Sequence, residues 1–155
     1  MDHRSGKAWT AAFLSGAAVF ACDQWLKWRF FDRVHYEGEA FSFLNGLIRS
    51  TLFHNHGISF NIPLPLWVII LITGAALGWA LALLIERAKL GNLIACLLIG
   101  LFVGGTLGNA YDRLTLGFVR DWLLLFGRSA INLADIAIGG ALLAYLLTQT
   151  YSSES

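Results

Sequence analysis

The sequence predicts an all-α membrane protein of four transmembrane helices, with a small β-rich element at the membrane surface between the first two. Three observations carry this. Of 155 residues, 57% are hydrophobic and only 14% charged, against about 25% charged in soluble domains, so much of the surface faces something other than water. The apolar residues gather into four runs, each near the roughly 20 residues that a helix needs to cross a bilayer core. Backbone polar groups must be bonded inside the bilayer, which favours helices.

The first run, residues 8–28, reads AWTAAFLSGAAVFACDQWLKW. Arg4 and Lys7 precede it as in a cleaved signal sequence, but Asp23, Lys27 and Trp28 stand where a small-residue cleavage site would be, so a retained helix is expected. The next segment contains EAFSFLNGLIRSTLFHNHGISFNI, where aromatic and β-branched residues are separated by Asn-Gly and His-Gly. That pattern predicts short strands and turns. The second run, 66–85, is free of charge, and ERAKLGN joins it to the third, 90–110. A polar excursion over 111–131 leads to the fourth run, 132–149. The length fits one domain, 1–155.

Four spans put both long segments on one side and the termini with ERAKLGN on the other. Cytoplasmic loops carry the excess of Lys and Arg. Here Arg4, Lys7, Arg87 and Lys89 oppose Lys27, Arg29, Arg33, Arg49, Arg113, Arg120 and Arg128. A plain count favours one orientation and density the other, so charge leaves the orientation open. The net charge of +1 offers no basic field for nucleic acid. Cys22 and Cys96 lie in apolar runs without metal-like spacing and read as free buried thiols.

Against this background the polar residues stand out. Asp23 and Lys27 are spaced i,i+4, on one helix face; a lysine snorkelling at a helix end explains them equally well. Gly100, Gly104 and Gly108 form a smooth stripe for close helix packing. Asp112 continues that stripe, with Asn109 and Arg113 beside it, as a polar cluster or as an interfacial salt bridge. Asn132 and Asp135 in INLAD have the spacing of an N-cap and an acidic capping box. Asp121, alone, reads as a loop acid beside Arg120.

Taken together, Asp112, Asp121 and Asp135 flank one short excursion. The apolar linker WLLLFGRSAINLA between Asp121 and Asp135 is able to turn back and bring the two carboxylates face to face. Two carboxylates sharing a site do not both ionise easily. One then serves as base on a water while the other, as acid, polarises a carbonyl. Such a pair hydrolyses peptides without metal or cofactor, and none is expected. His54 and His56 in HNHG lack a suitably spaced third ligand.

The motifs DQWLK, NHGISF, GGTLGNAYDR, GFVRDW and NLADIAIGG occur in the order found in the lipoprotein signal peptidases (signal peptidase II), and the resemblance covers the whole chain. It implies an aspartic endopeptidase of the bacterial inner membrane. Such an enzyme cuts the signal peptide of a diacylglyceryl-modified prolipoprotein just before the lipidated cysteine. By match, the catalytic pair is Asp121 and Asp135. Asp23, Lys27, Asn55, Asn109, Asp112, Arg113 and Asn132 fall on the family's other polar positions, as substrate-binding or supporting residues. The resemblance places the active site and the β-rich element on the periplasmic side and the termini in the cytoplasm. The expected partners are the prolipoprotein substrate and membrane lipids, with the chain a monomer.

The sequence departs from the pattern in four places. Ile131 replaces an aromatic before Asn132, and Trp122 a phenylalanine after Asp121. The linker between the two acids is shorter than is typical and, Trp122 apart, lacks the family's usual tryptophan. Ile58 and Ser59 stand where small residues are common. Two rival readings remain: an inactive family member that only binds lipoprotein or lipid, and a small transporter. A transporter relay would spread acids along several helix centres; here the second run has none before Glu86.

Overall fold

The computed structural model describes residues 3–32, 41–58 and 62–153. Its element order is α1 (His3–Lys27), a π-helical extension (Trp28–Asp32), β1 (Ser42–Phe43), β2 (Ile48–Asn55), α2 (Leu66–Lys89), α3 (Leu93–Leu116), β3 (Val119–Leu125), β4 (Ser129–Ile131) and α4 (Leu133–Ser153). The molecule is mostly helical, with a small antiparallel sheet. Helices α2 and α3 and the Leu133–Thr150 part of α4 are long and apolar enough to cross a membrane. Helix α1 is long enough but carries Arg4, Lys7, Asp23 and Lys27.

Helix α3 lies at the centre of the helices and packs chiefly against α1 and α4. Its glycines explain the closeness. A Cβ on Gly100 would meet the Ala12 carbonyl oxygen, one on Gly104 the Gly16 carbonyl oxygen, and one on Gly105 would lie 2.7 Å from the Ala134 carbonyl oxygen. Ser15 Oγ donates to the Leu97 carbonyl across the same seam at 3.0 Å. Near the other end, Ala8, Ala12, Ala88 and Cys96 form a small buried cluster. Cys22 faces outward, so only Cys96 of the two free thiols is buried.

The helix bounds differ from those of the apolar runs. The third helix starts at Leu93, where the Asn92 side chain accepts from the Ala95 N–H at 3.0 Å. It ends at Leu116 rather than near 110, with Gly117 in the left-handed region at φ 82° as its cap. Polar Asp112 does not break the helix, because it is fully buried among partners. The first helix begins near His3 because Ser5, Ala8 and Ala12 are buried against its neighbours. The second and fourth also continue by several residues, to Lys89 and Ser153; Arg87 at that end of α2 donates to Gln149 at 3.0 Å.

The sheet corrects the predicted placement of β structure. Its order is β1-β2-β3-β4, all antiparallel, so half its strands come from 119–131, between the third and fourth helices. Residues 33–40 and 59–61, Ser59 included, lie outside those described. The turn between β1 and β2 uses the predicted Asn-Gly pair, with Asn45 at φ 55° and Gly46 at φ 86°. Strands β2 and β3 pair Phe53 with Asp121 and Asn55 with Val119. Alternation along β3 sends Arg120 and Trp122 to one face and Asp121 to the other. Trp122 stacks on Phe30 of the π-helical extension, centroids 5.0 Å apart. The sheet is thereby fixed to the end of α1.

Candidate active site: two carboxylates in one polar network

Lys27 is fully buried. Its Nζ donates to Asp23 Oδ2 at 2.8 Å, Asn109 Oδ1 at 3.0 Å and Asp112 Oδ2 at 3.1 Å. An ammonium has three protons, and each finds an acceptor. The i,i+4 pair of α1 is thus a buried tie between α1 and α3, not a snorkelling helix end. Asp23 also accepts, through Oδ1, the backbone N–H of Ala134 at 3.0 Å, which fastens the start of α4 to α1.

Asp112 holds the sheet. Its Oδ1 accepts from an Arg120 Nη at 2.7 Å, and its Oδ2 from the Arg120 backbone N–H at 3.0 Å and from Nε at 3.3 Å. Arg120 extends on to Asp32 at 2.6 Å and Gln24 Oε1 at 2.7 Å. A forked guanidinium makes such paired bonds where a lysine would not. The position of β3, and so of Asp121, is set by this clamp. Arg120, Gln24 and Asp32 were not among the predicted site residues. The signal was present, since Arg120 directly precedes Asp121 and Gln24 follows Asp23.

Asp121 is fully buried and lies on a strand, whereas taken by itself in the sequence it reads as a loop acid. The reason is the pairing of β3 with β2: Asn55 Nδ2 donates to Asp121 Oδ2 at 2.9 Å from the neighbouring strand. Asn132 Nδ2 donates to Asp121 Oδ1 at 2.6 Å. Burial, followed by the charge of Asp135, pushes the Asp121 carboxyl up to about 7, against the opposing pull of the two asparagine amides.

Asp135 is half-buried, in the first turn of α4. Its Oδ1 accepts from Asn109 Nδ2 at 2.8 Å, and its Oδ2 from the Asn132 backbone N–H at 3.3 Å, while Asn132 Oδ1 takes the Asp135 N–H at 3.0 Å. This reciprocal pair is a capping box. The cap and the site share residues: Asn132 caps α4 and bonds both carboxylates. Asn132 Nδ2 also donates to Asn109 Oδ1 at 3.1 Å, closing the chain Lys27–Asn109–Asn132–Asp121.

Asn55 and Arg113 shape the adjoining loop. Asn55 Oδ1 accepts from the Gly57 N–H at 3.0 Å, and an Arg113 Nη donates to the Gly57 carbonyl at 2.9 Å. The buried Arg113 Nε has no protein partner among the described residues. Asp23, Lys27, Asn55, Asn109, Asp112, Asp121, Asn132 and Asp135 therefore fall in one connected network, with Arg113 at its edge. His54 and His56 do not join it; both pack against the Phe118 ring, at 4.4 and 5.6 Å between centroids.

Fold and site define a membrane protein whose buried charges gather at one end of its helices, around a pair of carboxylates. The family model described as signal peptidase (SPase) II matches residues 16–150, and the chain belongs to that family, which makes it a protease. The lipoprotein signal peptidase of Chromobacterium violaceum is 30% identical over 92% of this chain and 94% of its own length. That of Acinetobacter baylyi is 34% identical over 75% of this chain and 68% of its own. A solved bacterial membrane enzyme superposes with a TM-score of 0.82 at 22% identity, over 92% of this chain and 88% of that one.

Proposed function

We infer that this protein removes the signal peptide from prolipoproteins and that Asp121 and Asp135 are its acid–base pair. Family membership supports the activity. One observation carries the assignment of the pair: Asn132 bonds both carboxylates, so they act as a unit. Asp121, buried and with its carboxyl raised to about 7, keeps the proton. Asp135, half-buried, is the base open to water.

The reaction then runs as follows. Asp135 takes a proton from water as its oxygen attacks the scissile carbonyl carbon, and Asp121 gives its proton to the carbonyl oxygen. The tetrahedral diol collapses as the amide nitrogen takes the proton held by Asp135. The carbon–nitrogen bond breaks, and a diol proton returns to Asp121. Asn55, Asn109 and Asn132 hold the carboxylates in place. Lys27 and Arg120 balance the charge of Asp23 and Asp112, which fix α1, α4 and β3 around the pair. Paired carboxylates complete this hydrolysis with no metal or cofactor.

The substrate is the diacylglyceryl-modified precursor, cut before its lipidated cysteine and reached laterally from the bilayer. Helix α1 is the fourth span, its polar end buried against α3. The protein is a monomer in the bacterial inner membrane, surrounded by lipid, with its site toward the periplasm and its termini in the cytoplasm. The test is mass spectrometry of purified diacylglyceryl-prolipoprotein incubated with the protein in micelles made with heavy-oxygen water. A product starting at the lipidated cysteine, with heavy oxygen in the released peptide's new carboxyl, is expected. Intact substrate would favour an inactive, lipoprotein-binding family member.

A further inference from the structure

The sheet ends in two turns that lie side by side. The β1–β2 turn and the β3–β4 turn are at the same end, since Ile48 pairs with Leu125, and the Phe126 N–H donates to the Leu47 carbonyl at 2.6 Å. Turn tips are ordinarily polar, with Gly, Asn and Asp at left-handed positions. Here Leu44 and Phe126 have φ of 51° and 52°, in the left-handed region that ordinary side chains disfavour. Both are then presented outward: Leu44 is 68% exposed and Phe126 69%, with Phe43 at 62% and Leu47 at 48% beside them. Four large, exposed apolar side chains share one tip.

The chemistry of the surroundings selects the occupant. Neither hairpin, 41–50 or 123–131, contains an acidic residue, while Arg49 and Arg128 flank the apolar groups. Apolar tips rimmed by arginine match the boundary between anionic headgroups and acyl chains. The root of the sheet also starts at that depth, because β3 begins just beyond Gly117, the cap of α3. A strand of this length reaches about 20 Å. If the sheet leans over the bilayer the tip meets lipid; if it stands upright the tip is held well into water.

We propose that the paired turns carrying Phe43, Leu44, Leu47 and Phe126 insert into the lipid interface on the sheet's side of the membrane and brace β3 there. The proposal requires membrane insertion of the helices and is independent of the carboxylate pair. It is tested without any activity. In a C22A/C96A background, single nitroxide labels at Phe126→Cys and, separately, Leu44→Cys are placed in nanodiscs containing anionic phospholipid. Their collision with oxygen and with a water-soluble nickel chelate gives their depth. Both labels are expected on the order of 5–10 Å below the headgroup boundary, richer in oxygen than in nickel contacts. Water-like nickel access at both positions would overturn the proposal and leave the tip as a surface for a protein partner. Dipolar broadening between labels, with water-like access, would overturn it in favour of a second copy of this chain.

Discussion

Asp121 and Trp122 are neighbours on β3, yet strand alternation gives them opposite tasks: one faces the asparagines, the other clamps the end of α1. The Asp121 carboxyl, held at about 7 against a usual 3.8, has a consequence for stability. A carboxyl raised on folding favours the protonated form, so its contribution is fully favourable below about pH 4 and is lost as pH rises toward 7. Asp121→Asn cannot lose it. The thermal stability of that variant relative to the parent is therefore expected to improve between about pH 5 and about pH 8. A pH-independent difference in melting temperature would show that Asp121 is not held protonated. Lys27 behaves in the opposite sense. Lys27→Met leaves Asp23 and Asp112 buried without their shared cation, at a cost of about 3–5 kcal/mol, read as a large fall in thermal unfolding temperature in detergent. A shift near zero would mean the cluster is solvated.

Helix packing makes a sharper comparison between elements than any single contact. A Cβ at Gly108 would lie 2.6 Å from Asp23 Oδ2, whereas one at Gly139 of α4 meets nothing within 4 Å. Gly108→Ala is expected to cost about 1–3 kcal/mol through overpacking and to lower turnover by displacing Asp23 from the start of α4. Gly139→Ala should gain up to about 1 kcal/mol from helix propensity. Thermal unfolding of the two variants side by side checks both signs. The glycine stripe was legible in the sequence because its period matches the helix. Strand β3 was not: VRDWLLL places buried charge and apolar residues together, and the alternation rule assumes that charge faces water. Partners from other elements make that burial possible: Asp112, Asp32 and Gln24 hold Arg120, and Asn55 and Asn132 hold Asp121. The Asn-Gly turn was readable since its chemistry is local. The partners of Lys27 were not, beyond Asp23, because they come from another helix.

At the scale of the whole molecule, the proposed lateral entry of the substrate would give its lipid a large share of the recognition. Buried methylenes contribute on the order of 0.8 kcal/mol each, and such remote binding also positions the scissile bond. A prolipoprotein lacking its diacylglyceryl group is expected to be cut at least about a hundredfold less efficiently, about 2.7 kcal/mol, in parallel kinetics in the same micelles; equal rates would contradict lateral, lipid-anchored entry. The motif order already carried the family, and the buried network adds how α1, α3, α4 and β3 converge on two acids. The central claim is that Asp121 and Asp135 are the reacting pair, and single-turnover cleavage of the lipidated precursor by purified Asp121→Asn and Asp135→Asn tests it most directly. Each variant, folded and inserted, is predicted to lose at least about a hundredfold in rate while still binding the precursor; near-normal cleavage by either one would contradict it.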